Sequence, residues 1–231
     1  MSVIFRASMV GGLMTDPDSG KLPSGAITIL DKMISQKLLD WHDAEFDFFT
    51  TEKGKRCEEE SIELYNEVND TFYLKNVERI TKDLSTGLII DHDTGLVFDR
   101  AQPVLTGECD LIDFKESLVI DIKTAYSKAT YPLVLKMSKL YEWQLRSYMH
   151  LYNVDHAELA YCLVNTPDDL IQKKDPPEWH NVDNIRNDLK VSALRIERDL
   201  VKENQLINRL KICADYVYEQ LELRKCKSKK A

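Results

Sequence analysis

Glycine and proline are scarce in this chain, 8 and 7 among 231 residues, and no low-complexity tract interrupts it. With 43% hydrophobic and 30% charged residues, that scarcity excludes collagen-like and disordered chains. One well-folded domain over residues 1–231, with a basic tail at about 223–231, is the expectation. Long apolar runs are missing as well, and the ~20 residues needed to cross a bilayer are nowhere approached. The first residues lack the basic, apolar and cleavage regions of a leader, so a cytoplasmic setting is expected, a host cytoplasm if a phage encodes the chain. Cysteine is sparse and scattered: Cys57, Cys109, Cys162, Cys213 and Cys226, with no CxxC pair. That spacing fits neither a disulfide frame nor a zinc ribbon, and reads as small buried hydrophobes. An excess of positive charge is absent too, since the formal net charge is -8. This counts against a nonspecific coat for nucleic acid but not against an enzyme with a local basic groove, because clustered site carboxylates themselves lower the total. No Walker-type glycine loop is present, which rules out ATP-driven work by this chain.

What is present alternates between two periods. Residues 2–13 carry Met9, Val10 and Leu13 at helical spacing, and a turn-rich loop follows over residues 15–25. Residues 26–49 read as a helix with Ile27, Leu30, Ile34 and Leu38 on one face, and a second helix over residues 57–68 follows Gly54. The middle third changes to strands: two around an Asp93-Thr94-Gly95 turn within residues 87–99, then residues 104–114 and 117–124, as an antiparallel meander. Helical period returns at residues 137–152, a short apolar strand follows at 158–165, and residues 184–225 read as long helices. The order fits an α/β class with a mixed central sheet flanked by helices and long C-terminal helices.

Chemistry concentrates in LTGECDLIDFKESLVIDIKT, residues 105–124. Strand alternation puts Asp121 and Lys123 on one face and Ile120 and Ile122 on the other. Leu118, Val119, Ile120 and Ile122 mark a central, buried strand. An Asp and a Lys buried there need a partner or a metal. Asp110 arrives through a tight hairpin. Two carboxylates, the backbone carbonyl of Ile122 and waters make a natural magnesium site, with Mn2+ able to substitute. Lys123 would orient the attacking water and offset phosphate charge. For an isolated D-x-K a structural ion pair is the better reading, because the tripeptide is common by chance.

Three further segments surround that element: KGKRCEEESIEL (residues 53–64), TGECD, and YEWQLRSYMHLY with Gln144 and Tyr148 four apart. In this order and spacing the chain resembles the PD-(D/E)xK nucleases, and within them the lambda-exonuclease-like phage recombination nucleases. The resemblance covers about residues 6–167. It implies a restriction-endonuclease-like core and a catalytic set of Glu58, Asp110, Asp121, Lys123 and Gln144. Asp110, Asp121 and the Ile122 carbonyl would be the metal ligands, with Glu58 reaching the metal through water. Glu59 is the alternative helix acid, because three glutamates stand together. Gln144 would meet the lysine, a metal-bound water or the DNA backbone. Arg6, Ser8, Tyr148, Lys128 and Lys136 would touch DNA, with Arg6 and Ser8 at its end.

The implied activity is Mg2+-dependent exonucleolytic digestion of linear double-stranded DNA from 5' to 3', leaving 3' single strands for recombination. The implied partners are DNA ends, further copies of the chain in a homotrimeric ring, and a single-strand annealing protein. Iron–sulfur nucleases of the RecB or CRISPR-associated kind are disfavoured by the cysteine spacing. A sequence-specific endonuclease would want an added recognition region, and an idle scaffold of the same fold would not need the full site set. Asp91-His92-Asp93 reads as turn chemistry rather than a metal trio, and His42, His150 and His156 lack zinc spacing.

Overall fold

The computed structural model describes residues 2–41, 48–90 and 102–228. The Asp93-Thr94-Gly95 turn, Asp91-His92-Asp93, His42 and the end of the basic tail lie outside the described residues. Strand β1 (Ser2–Arg6) leads into the short helix α1 (Ala7–Val10), and α2 (Ser24–Leu39), α3 (Phe48–Arg56) and α4 (Glu58–Asn69) follow. The sheets are built from β2 (Ile80–Asp83), β3 (Gln102–Gly107), β4 (Leu111–Asp113), β5 (Leu118–Thr124), β6 (His156–Cys162) and β7 (Val191–Glu197). Helix α5 (Lys139–Tyr152) joins β5 to β6, and α6 (Leu200–Ser228) closes the described chain.

Two mixed sheets result. One has the order β1-β3-β2, with β1 parallel and β2 antiparallel to β3; the other has the order β4-β5-β6-β7. In the second, β5 runs parallel to β6, with Asp121 opposite Leu159, and α5 supplies the crossover that a parallel pair requires. Only β4–β5 and β6–β7 are antiparallel there. The expected meander is therefore corrected: β3 ends at Gly107 and pairs in the other sheet, so the chain changes sheets through Glu108–Asp110. Residues 114–117 make the β4–β5 turn, where the Asp113 carboxylate accepts the Lys115 and Glu116 amides and Ser117 takes a left-handed φ of 50°.

Three further expectations are revised. Residues 2–6 form a strand, with Val3 and Phe5 buried and Ile4 and Arg6 outward. Residues 191–197 form an edge strand rather than a helix, because Ser192, Leu194 and Ile196 face inward between the outward Ala193, Arg195 and Glu197. Gly54 lies inside α3 rather than before a helix. Of the strands expected over residues 87–99, the described part, residues 87–90, folds back on β2 through an isolated Lys82–Ile89 bridge.

Strand β5 is the hinge of the architecture, because its two faces serve different cores. Val119 packs with Leu145, Tyr148, Met149 and Leu159 in the larger core, on the α5 and α6 side. Leu118, Ile120 and Ile122 pack with Ile62, Leu64 and Tyr65 of α4 on the other. Each fully buried aliphatic side chain contributes roughly 1.5–3 kcal/mol, so β5 is held firmly between two layers. On β3, Gly107 lets α5 approach closely, since a Cβ there would stand 2.9 Å from both Tyr148 Cε1 and Leu151 Cδ1. No helix among the described residues is long and apolar enough to cross a membrane.

Candidate active site

The face of β5 turned toward α5 carries Asp121 and Lys123, as strand alternation requires. Asp121 is only 2% exposed. Its Oδ1 accepts a hydrogen bond from Gln144 Nε2 at 3.1 Å, and the same amide nitrogen donates to the Tyr148 hydroxyl at 3.0 Å. Its Oδ2 lies 2.6 Å from the Lys123 ammonium. Among the described residues the Lys123 ammonium is the partner that meets Oδ2. The Lys123 ammonium also stands 5.5 Å from the centre of the Tyr141 ring, and Tyr141 meets Tyr161 edge-on at 6.4 Å.

Asp110 stands just before β4, and its position follows from a sheet edge. β4 covers β5 only as far as Ile120, opposite Leu111. Beyond that point β5 offers unpaired backbone groups on the β4 side, and the Ile122 amide donates to Asp110 Oδ2 at 2.6 Å. A strand residue points its N–H and C=O to the same side, so the Ile122 carbonyl shares the Asp110 edge. Burial pushes the Asp110 carboxyl up to about 7, and the Asp121 charge adds to the rise against the opposing Lys123 and Ile122 contributions. Burial works against the Lys123 ammonium, but Asp121 and Asp110 outweigh it and hold Lys123 above the ordinary lysine value.

Asp110, Ile122, Lys123, Tyr141 and Tyr161 line a cleft of about 510 Å³ with Gly54, Glu58, Thr124 and Tyr126, while the buried Asp121 does not reach its wall. Glu58 occupies the first turn of α4, where the helix dipole favours an anion, and its Oε2 lies 2.7 Å from Lys75 Nζ. Glu59 lies instead in a separate recess with Phe72 and Leu74. Gln144 meets Asp121, a partner outside the three that the resemblance implied. Tyr148 is 5% exposed and sits behind the carboxylates rather than on the surface. Arg6 and Ser8 are exposed where β1 enters α1, with Arg6 paired to Thr106. Lys136 is exposed, while the Lys128 ammonium is engaged by the Glu178 carbonyl at 2.9 Å.

Lys53 escapes sequence reading except as the first letter of a motif. It is fully buried, and its ammonium reaches the carbonyls of Ala125 (2.8 Å), Tyr126 (3.1 Å) and Val164 (2.8 Å) and the Thr166 hydroxyl (2.9 Å). It thereby fixes the chain leaving β5, which is one wall of the cleft. Burial lowers its pKa to about 8. Its signal was the apolar helix face it shares with Cys57 and Phe49, where a lysine is out of place.

The donor set fits a small, hard cation. Asp121 Oδ2 meets only the Lys123 ammonium among the described residues, Asp110 keeps one oxygen beyond the Ile122 amide, and both stand on a carbonyl-bearing sheet edge. No group of three or more His, Cys, Asp or Glu clusters for a metal among the described residues. Two carboxylates, a carbonyl and water are therefore the available ligands, a pattern that suits magnesium better than zinc. Cys57, Cys109, Cys162 and Cys213 are free and buried.

A profile of the PD-(D/E)XK nuclease superfamily matches residues 16–227. The chain belongs to that superfamily, whose members generally use divalent metal ions. Among solved structures it resembles a phage-related exonuclease from Haemophilus somnus 129PT, at 23% identity and a TM-score of 0.77, with 96% of each chain covered. It also resembles an alkaline exonuclease from Laribacter hongkongensis, at 16% identity and a TM-score of 0.66, with 98% of this chain and 93% of that one covered. The same exonuclease in complex with dAMP matches with a TM-score of 0.65 at 16% identity, over 97% of this chain and 93% of that one. No curated protein matches the chain.

Proposed function

We propose that this nuclease is a magnesium-dependent exonuclease that digests linear double-stranded DNA from 5' to 3', in the manner of lambda-like phage recombination enzymes. The observation that carries the reading is the convergence of Asp110, Asp121 and Lys123 at the free edge of β5, in a chain of this superfamily. The solved exonucleases it resembles in fold support the substrate class, and the dAMP held by one of them suits a deoxynucleotide product.

In this reading Asp110, Asp121 and the Ile122 carbonyl hold the metal, with Glu58 at one remove. A bound magnesium ion would polarise the phosphodiester and make water a better nucleophile. The chain's own groups do the rest. Gln144 fixes the Asp121 carboxylate through Oδ1, leaving Oδ2 to Lys123 and the metal. Lys123, steadied by the Tyr141 ring, donates to the attacking water or the scissile phosphate and offsets charge that builds up in transit. Arg6 and Ser8 hold the 5' end, and Lys136 reaches a phosphate further along, whereas Lys128 must first leave the Glu178 carbonyl. A ring of three chains and a single-strand annealing partner complete the proposal by family likeness.

Incubation of matched linear and closed circular duplexes, with magnesium or with EDTA, tests it. Loss of the linear form alone, and only with magnesium, is expected. Nicking of the circle at a similar rate would point to an endonuclease instead.

A further inference from the structure

We propose that Lys75 is a positioning residue that competes with the divalent cation for Glu58 and moves to a DNA phosphate when substrate binds; this rests on the metal-nuclease reading above. Lys75 Nζ lies 2.7 Å from Glu58 Oε2, and its ammonium also feels the charges of Asp110 and Glu108. The buried Asp110–Asp121 pair meets one ammonium, Lys123, and Glu58, whose charge Asp110 also feels, meets a second, Lys75.

The backbone around Lys75 is anchored in a way that a casual surface pair would not need. On one side, Asn66 reaches Tyr73 twice, accepting its amide and donating to its carbonyl at 2.9 Å each. On the other, the Asn76 amide donates to the Asp110 carbonyl at 2.7 Å, and its side chain donates to the Cys109 carbonyl at 2.9 Å. Lys75 is therefore hung from the backbone of a residue whose carboxylate faces the site. The pair itself contributes little to stability, because the two side chains are 42% and 27% exposed and such pairs are worth about 0–1 kcal/mol. A fixed positive charge beside the carboxylates does act strongly on a doubly charged ion, since both compete for the same oxygens.

Exchange breaks no covalent bond and trades one ion pair for another. The ammonium leaves a carboxylate for a phosphate oxygen, and Glu58 becomes free to face the metal. Because each binding event removes the obstacle to the other, DNA and metal support one another's binding, and the coupling is reciprocal. An empty site would then stay poorly loaded with metal until a DNA strand arrives.

Two equilibrium measurements on the full chain test this, using Lys75→Met, with Lys75→Gln as a polar counterpart and Lys75→Arg as the conservative variant. The first is Mn2+ binding without DNA, read by electron paramagnetic resonance of the free ion. The second is binding of a linear duplex in Ca2+, which is expected not to support turnover. Lys75→Met and Lys75→Gln should bind Mn2+ about three- to tenfold more tightly and the duplex about three- to tenfold more weakly, while Lys75→Arg follows wild type. The opposite signs are the signature. Unchanged Mn2+ affinity, or tighter Mn2+ with unchanged duplex affinity, would overturn the exchange. Asp110→Asn serves as control: if it binds Mn2+ as wild type does, the site reading fails, whereas if it alone loses Mn2+ and the Lys75 variants do not differ from wild type, only the Lys75 proposal fails.

Discussion

The Asp110 carboxylate accepts the backbone amide of Ile122 at 2.6 Å, which locks one acidic residue onto the strand that carries another. The bond closes the Asp110–Asp121 pair without any intervening side chain. It also keeps two carboxylates together in a buried place, and that has a measurable cost.

The cost should appear as a pH dependence of stability in EDTA. The folded Asp110 carboxyl lies near 7, above the unfolded value of about 3.9. Between these values the folded state binds more protons than the unfolded one, so this group's contribution to stability falls as pH rises through the window. Asp110→Asn cannot ionise and still offers an acceptor to Ile122. Its melting temperature should exceed that of wild type at pH 8 and approach it at pH 4, the gap being on the order of 1–4 kcal/mol. A gap independent of pH would show that Asp110 is not strained by its neighbours.

Gln144 donates to Asp121 Oδ1 and the Tyr148 hydroxyl. Gln144→Ala should fold and bind duplex, yet lower kcat about ten- to a hundredfold, since a hydrogen bond to a charged group is worth about 1.5–3 kcal/mol. Tyr148→Phe removes only an acceptor of that amide and should cost less. Steady-state rates on linear duplex decide this, and a fall in KM affinity with unchanged kcat would move Gln144 to DNA binding.

Lys53 is a prediction about stability rather than catalysis. Lys53→Met takes the ammonium from the Ala125 and Val164 carbonyls in a buried pocket, while the Tyr126 carbonyl keeps the Thr166 hydroxyl as donor, costing about 3 kcal/mol. Thermal unfolding should shift down by about 6–12 °C. A shift below about 2 °C would mean that water replaces the ammonium readily.

How much of this was legible varies from residue to residue. The alternation that placed Asp121 and Lys123 on one face holds because β5 is long and apolar on both sides, which leaves one choice of period. Helix α5 was legible for the same reason, with Ser138 as an N-cap accepting the Tyr141 amide. Strand β7 was not, because Ile185, Leu189, Ala193 and Ile196 mimic helical spacing while Ser192, an inward polar residue, masks the alternation. β1 is too short to show a period before α1 begins. The sheet change between Gly107 and Leu111 is set by long-range pairing with β1, which no local pattern encodes. Buried Lys53 and Arg209 are hidden too, since their partners are backbone carbonyls, Lys21 and Asp16 among those of Arg209, and a carbonyl carries no residue identity.

Arg6 stands exposed in register with Thr106, at the strand end that leads toward Asp110. If it grips a terminal phosphate, 5'-phosphorylated duplex should be digested faster than the 5'-hydroxyl form. Arg6→Ala should erase that preference, worth on the order of 1.5–3 kcal/mol or about ten- to a hundredfold. Equal wild-type rates on the two substrates would make Arg6 an ordinary surface residue.

Asp110, Asp121 and Lys123 are proposed to act together as one metal-dependent phosphodiesterase site. The most direct measurement is the initial rate on 5'-phosphorylated linear duplex with magnesium, for wild type and Asp121→Asn, with duplex binding in Ca2+ and melting temperature measured alongside. Wild type should degrade the duplex and stop on chelation, while Asp121→Asn should lose at least about a thousandfold in rate, the loss expected of a group acting on the reacting centre, yet remain folded and bind DNA. Wild-type turnover by Asp121→Asn, with contaminating nuclease excluded, or full activity in EDTA, would contradict the account.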